Sequence, residues 1–233
     1  MYVLIDFDNV PDILKRNGAR YVADRVWTSL QTIAPSALMN LARLEVRFYG
    51  GWLGMSSPSP LGSVLLAEVQ RDFPFAIRGP KPITISGELA QSLLPLPKHP
   101  LPHTFRQRQG GQNVTCLHPT KVGCATANCP VLTVHDFLTK GLCPIVTCGR
   151  SANDFLKKSE QKLVDTMLVS DLIHLSTNGE ENVAIVSSDD DLWPGMLTAM
   201  HNGTKLIHVC TKYASTYKLY HGMIFGRYQH GRL

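Results

Sequence analysis

The sequence predicts an α/β protein with a mostly parallel central sheet and helices on both faces. Short apolar runs, Val3-Leu4-Ile5 and Val183-Ala184-Ile185-Val186, end abruptly in aspartates, as buried parallel strands do at a carboxyl edge. Helix-patterned stretches separate the short runs, and crossovers of that kind join parallel strands. The 233 residues, 44% hydrophobic, suffice for one large domain or one domain with a sizeable insertion.

In chain order, residues 3–9 read as a first strand that closes on two acids and an amide, with Pro11 suited to a turn or a helix start. Residues 12–42 read as mainly helical, patterned by Tyr21, Val22, Val26, Leu30 and Ile33 and interrupted by Pro35. Residues 44–51 read as a second strand with a glycine turn, and 61–72 as a helix carrying Leu65, Leu66 and Val69. The rhythm is then lost. Prolines at 74, 80, 82, 95, 97, 100 and 102, followed by five of the six cysteines, mark residues 74–143 as an irregular insertion in a single domain spanning 1–233. Short strands are expected at 131–135 and 144–148.

The helical pattern returns over 158–175, where Val164, Leu168, Leu172 and Leu175 share a face. Ser159 is the candidate cap, with Glu160 in the first turn. Lys162 and Asp165, three residues apart, are expected as neighbours on its surface. A strand at 183–186, a helix from near Pro194 through Met200, the turn Asn202-Gly203 and a strand at 205–210 follow. The tail, 213–233, is aromatic and basic, suited to a last small element or to a partner.

The formal charge of +5 is unevenly placed. Residues 98–158 hold eight Lys or Arg and two acids, and the rest of the chain is close to neutral. That positive segment favours a polyanion such as a nucleic-acid backbone, although a solvated basic loop would carry the same charges. No signal-peptide pattern or membrane-length apolar stretch is seen, so a cytoplasmic location without membrane contact is expected. The cysteines are then thiols or metal ligands rather than disulfides. A homo-oligomer or a protein partner is left open.

The chemistry concentrates in aspartates. Asp6/Asp8 and Asp189/Asp191 are acid pairs at alternate positions after strands, and Asp165 and Asp171 lie on the helix before the second pair. Ligand sites in open α/β sheets form at the carboxyl edge. Clustered carboxylates there suit Mg²⁺ or Mn²⁺, which activate water against a phosphodiester. Asp190 is expected to face away, since extended chain alternates. No glycine-rich phosphate loop follows the first strand, which excludes a P-loop nucleotidase. Each residue has a plainer reading too. Asn9 suits a turn, Lys162 a surface ion pair, Asp171 a solvated helix acid or the pocket rim, and Ser187 and Ser188 a helix cap or phosphate contact.

Four segments carry a family resemblance: Ile5-Asp6-Phe7-Asp8-Asn9, Arg47-Phe48-Tyr49-Gly50, Glu160-Gln161-Lys162-Leu163-Val164-Asp165 with Asp171, and Val186-Ser187-Ser188-Asp189-Asp190-Asp191-Leu192. Together they resemble the NYN domain family, a branch of the PIN-like nucleases, over residues 1–50 and 144–210. The resemblance implies a three-layer PIN-like fold and Mg²⁺- or Mn²⁺-dependent cleavage of RNA. It implies Asp6, Asp165, Asp189 and Asp191 as catalytic metal ligands, with Asn9 in the pocket. Read from the residues themselves, Asp8, Lys162, Asp171 and Ser187 are candidate supporting groups. Ser188 stands where the family commonly has glycine.

The insertion lies outside that resemblance. Cys116, Cys124 and Cys129, with either His118 or Cys143, offer a structural Zn²⁺ set, although Cys143 and Cys148 also suit small buried positions. Arg106, Arg108, Lys121, Arg150, Lys157 and Lys158 are candidate phosphate contacts, and Phe105 and His118 candidate base-stacking rings. The leading reading is a metal-dependent endoribonuclease acting on single-stranded or looped RNA. A non-catalytic RNA-binding module is the alternative of a different class. A small-molecule phosphatase, with Asp6 as nucleophile and Asp8 as acid/base, is the third.

Overall fold

The computed structural model describes residues 1–55, 57–77, 81–109, 116–124, 129–212 and 226–233, with the backbone alone at 107–109 and 157–160. β1 (Tyr2–Asp6) leads through α1 (Asp12–Lys15), α2 (Gly18–Ile33) and α3 (Pro35–Leu38) to β2 (Arg43–Tyr49). α4 (Pro60–Asp72), β3 (Phe75–Ile77), β4 (Ile83–Leu89) and β5 (Phe105–Gln109) follow. Next come α5 (Pro130–Lys140), α6 (Ala152–Phe155), β6 (Lys157–Gln161), α7 (Val164–Thr177) and β7 (Asn182–Val186). The chain ends in α8 (Trp193–His201), β8 (Lys205–Cys210) and β9 (Tyr228–Arg232).

Seven strands form one sheet in the order β3-β4-β2-β1-β7-β8-β9. Every neighbouring pair is parallel except β3 with β4. The chain steps outward from β1 on one side and from β7 on the other, so the strand order reverses between these two. Their carboxyl ends, at Asp6 and Val186, open the crevice where such sheets place ligands.

Alternation along β1 builds two cores. Val3 and Ile5 pack with α2 and α4 through Val22, Val26, Leu30, Leu65 and Val69. Leu4 faces the other way, with Leu168 and Leu172 of α7 and Met196 and Met200 of α8. The result is a largely parallel α/β sheet flanked by helices on both faces. Burying a leucine such as Leu168 contributes about 1.5–3 kcal/mol, and truncating it to alanine costs about 2–5 kcal/mol.

Local chemistry sets the helix ends. Ser59 Oγ accepts the Gly62 N–H at 3.0 Å and Pro60 opens α4. Asn17 gives α2 no side-chain cap. Instead the Glu68 carboxylate of α4 accepts the Ala19 N–H at 2.9 Å, tying the two helices together.

Several expectations are corrected. Residues 75–77 and 83–89, read as irregular, are strands of the main sheet. Ile83, Ile85 and Leu89 are buried at strand spacing, a signal masked by the surrounding prolines. Residues 131–135 are helical. Pro130 opens α5, Asp136 and Lys140 pair one turn apart, and Gly141 closes it at φ 74°. Residues 144–148 form turns, not a strand. Residues 157–161 are strand β6, paired with β5, so Ser159 caps no helix and α7 starts only at Val164.

Two compact units result, Met1–Phe105 with Gln161–Leu233, and Arg106–Glu160. The second unit holds α5, α6 and most of the β5–β6 pair. Among its described residues only Pro119 and Ala152 are buried. No helix among the described residues is long and apolar enough to cross a membrane.

Candidate metal centre

Asp6 is the last residue of β1 and is buried. Its Oδ2 accepts Asn9 Nδ2 at 2.5 Å and Ser187 Oγ at 2.8 Å, and its Oδ1 accepts the Asn9 N–H at 3.4 Å. Ser187 comes just after β7 and is fully buried. Its hydroxyl donates to Asp6 and accepts the Asp189 N–H at 3.0 Å. One side chain therefore joins the ends of the two central strands.

Asp165 enters from the first turn of α7, where the helix dipole favours an acid. Carboxylate oxygens of Asp6, Asp165 and Asp189 all lie within 4.8 Å of one another. These three line an open cavity of about 570 Å³ with Asp8, Asn9, Gln161, Lys162, Leu163 and Val164. Among the described residues this is the one group of three or more metal-ligating side chains so close together. An all-oxygen donor set fits Mg²⁺ or Mn²⁺ better than Zn²⁺. The cluster is able to hold a divalent cation, the general requirement of a metal-dependent hydrolytic site.

Electrostatics agree with the geometry. Desolvation and then the charges of Asp6, Asp189, Asp191 and Asp8 push the Asp165 carboxyl up to about 6. Asp8 is held above its usual value by desolvation at the crowded pocket wall, against the lowering effect of a hydrogen bond with Gln161. Negative charge is concentrated here, as a cation site requires.

The other expected site residues divide. Asn9 orients Asp6, and Asp8 and Lys162 line the cavity. Asp191 is exposed and lies outside the close trio, although its charge reaches Asp165. Asp190 is exposed as well. Lys162 precedes α7 and is not a helix-surface neighbour of Asp165, and its N–H is held by the Thr104 carbonyl at 3.0 Å. Ser188 caps no helix, because its Oγ accepts the N–H groups of Thr211 and Lys212 beyond β8. Asp189 caps the following turn, accepting the Asp191 N–H at 3.1 Å.

Asp171 is neither a solvated acid nor a rim residue. It is fully buried, about two turns into α7. Its Oδ2 accepts Arg47 Nε at 3.1 Å and Tyr49 O–H at 2.7 Å, and its Oδ1 accepts the Leu94 N–H at 2.7 Å. Burial raises its carboxyl from the usual range, opposed by these three donors.

Among the phosphate-contact candidates, Arg106, Lys121 and Arg150 belong to the second unit, and the side chains of Arg108, Lys157 and Lys158 lie outside the described residues. Phe105 is partly buried beside Gly51, and His118 packs edge-on against His135 at 5.0 Å. The Cys124 and Cys129 sulfurs lie 2.9 Å apart. Among the described residues, Cys116, His118 and Cys143 complete no cluster of three with them.

Two residues were passed over in the sequence. Thr104, buried in a proline-rich stretch, exchanges bonds with Leu53 and anchors Lys162. His208 sits mid-strand in an apolar run and bonds to the Ser187 carbonyl at 2.9 Å. Its inward position follows from alternation with Ile207 and Val209, a readable but unspecific signal. No family model matches the chain, and neither a curated protein nor a solved structure matches it.

Proposed function

We propose that this chain is a divalent-metal-dependent endoribonuclease with a PIN-like fold of the NYN type. The observation that carries the reading is the convergence of Asp6, Asp165 and Asp189 at the strand-order reversal, in an open cavity. Three of the four segments that resemble the NYN family contribute lining residues to that cavity, which supports the reading.

Bound Mg²⁺ or Mn²⁺ would supply an activated water and offset the charge gained by the phosphodiester during hydrolysis. Asp6, Asp165 and Asp189 would hold the cation. Asn9 and Ser187 hold Asp6 in one orientation, so the ligand set is preorganised. Lys162, on the cavity wall, is placed to meet a phosphate oxygen, and Asp191 adds to the local negative field. Asp6 is buried and both of its oxygens already accept hydrogen bonds, which favours a ligand over the nucleophile that the phosphatase reading requires. An open cleft suits single-stranded or looped RNA. Arg106, Arg108, Lys121, Arg150, Lys157 and Lys158 are assigned to its backbone, on the charge of their segment.

The test is cleavage of end-labelled RNA and DNA of matched sequence in Mn²⁺, Mg²⁺ or chelator. Wild type is compared with Asp6→Asn and Asp189→Asn. Cleavage of RNA by wild type alone is expected. Undiminished activity in both variants rejects the site, and RNA binding without turnover in either metal favours the binding module.

A further inference from the structure

His208 is not a member of the carboxylate trio, yet its imidazole bonds to the carbonyl of Ser187, the residue that joins Asp6 and Asp189. The β7–β8 ladder ends with Val186 opposite Val209. Beyond that point side chains replace the ladder. His208 Nε2 meets the Ser187 carbonyl at 2.9 Å, and Ser188 Oγ takes the Thr211 and Lys212 N–H groups.

The bond fixes the imidazole's tautomer. A carbonyl only accepts, so Nε2 carries the proton. Nδ1 of the neutral ring then accepts, and the Tyr228 hydroxyl, 2.7 Å away on β9, must donate to it. Trp193 of α8 stands edge-on to the ring at 6.0 Å, and Tyr228 at 5.9 Å. Burial lowers the imidazole's affinity for a proton, which keeps it in this neutral form.

We propose that His208 is a positioning residue of the carboxylate centre, acting through Ser187. Tyr228 holds the ring through Nδ1, and His208 fixes the direction of the Ser187 carbonyl and with it the peptide that follows. The Ser187 hydroxyl is thereby aimed at Asp6 while it receives the Asp189 N–H. Three aromatic residues on α8, β8 and β9 thus hold two of the three carboxylates in register without touching them. The consequence for metal uptake rests on the reading above, whereas the geometric claim does not.

The experiment pairs two readouts on the full chain. Mn²⁺ affinity is measured by electron paramagnetic resonance below the melting temperature, and metal-free crystal structures are determined for wild type and variants. His208→Leu removes the donor. It is expected to weaken Mn²⁺ binding about tenfold and to carry Ser187 Oγ out of hydrogen-bond reach of Asp6. His208→Gln restores an N–H at the same reach and is expected to recover both. Tyr228→Phe removes the hydrogen bond to Nδ1, loosens the ring and is expected to weaken binding two- to threefold. If His208→Leu does not fold, the Gln and Phe variants carry the test.

A folded His208→Leu, or Tyr228→Phe in its place, with wild-type affinity and an unmoved Ser187–Asp6 contact overturns the proposal. So does a folded His208→Gln that recovers neither. If wild type itself takes up no Mn²⁺, the metal reading fails. The Ser187–Asp6 contact in the crystal structures then decides the positioning claim alone.

Discussion

Arg47 and Asp171 lie 124 positions apart in sequence and meet as a buried ion pair, Nε to Oδ2 at 3.1 Å. The same guanidinium reaches Glu88 and the Ser92 carbonyl, and the same carboxylate takes Tyr49 and Leu94. β2, β4, α7 and the turn at 92–94 are fastened at one point. Asp171→Ala would leave Arg47 Nε and two further donors, the Tyr49 hydroxyl and the Leu94 N–H, without their buried acceptor. A loss of about 3–5 kcal/mol is expected in urea denaturation. A loss under about 1 kcal/mol would show that solvent replaces the carboxylate, as it does at surface pairs.

Removing one of three crowded acids relieves repulsion. Asp189→Asn is expected to melt at or above the wild-type temperature without metal. Wild type should gain about 2.7 kcal/mol when Mn²⁺ reaches a hundred times its dissociation constant, and the variant little or none at the same concentration. Calorimetric melts with and without Mn²⁺ provide the check. Equal gains in both proteins would place the cation elsewhere.

Asp165 links stability to pH. Its folded carboxyl titrates at about 6, above the usual value near 3.8, so between these values the folded chain binds the extra proton. Metal-free stability is therefore greatest below the lower value and is lost as pH rises through the upper one. The difference should be about 1–2 kcal/mol after allowance for solvent screening. Asp165→Asn should flatten that window in denaturation series from pH about 4 to about 7. An unchanged slope would mean that Asp165 does not feel its neighbours.

Leu163 lies at the cavity wall with φ 66°, and its side chain is exposed. Such a backbone suits glycine and penalises branched residues. Leu163→Gly is expected to be neutral or stabilising by up to about 1 kcal/mol, and Leu163→Val destabilising by about 1 kcal/mol. The reverse order in chemical denaturation would show that leucine's packing outweighs its backbone strain.

At Gly195 the opposite holds. A Cβ there would stand 2.7 Å from Val169 Cγ1, between α8 and α7. Gly195→Ala should cost about 1–3 kcal/mol through overpacking. Gly195→Ala combined with Val169→Ala should recover part of that loss.

Local patterns made the sheet readable. Val183–Val186 and Val3–Ile5 carry their strand character in their own composition, and the aspartates that close them mark the crevice. The face formed by Val164, Leu168, Leu172 and Leu175 was equally plain, and all four are buried. Features set by distant partners were not legible. Lys157–Gln161 contains nothing that favours a strand over a helix, and pairing with β5 decides it. Asp171 looks like any helix acid until Arg47 and Tyr49 come to it from β2. Ser188 had a helix nearby to cap, and the N–H groups left open past β8 took it instead.

The strand-order reversal also has a consequence in time. Asp6 lies on β1, which is synthesised before every other strand of this sheet. Asp165 and Asp189 follow it by 159 and 183 residues. β1 first gains β2 as a neighbour and must wait for β7 on its other side. No partly synthesised chain that stops short of β7 can assemble the trio, so the cation site exists only once both central strands have paired.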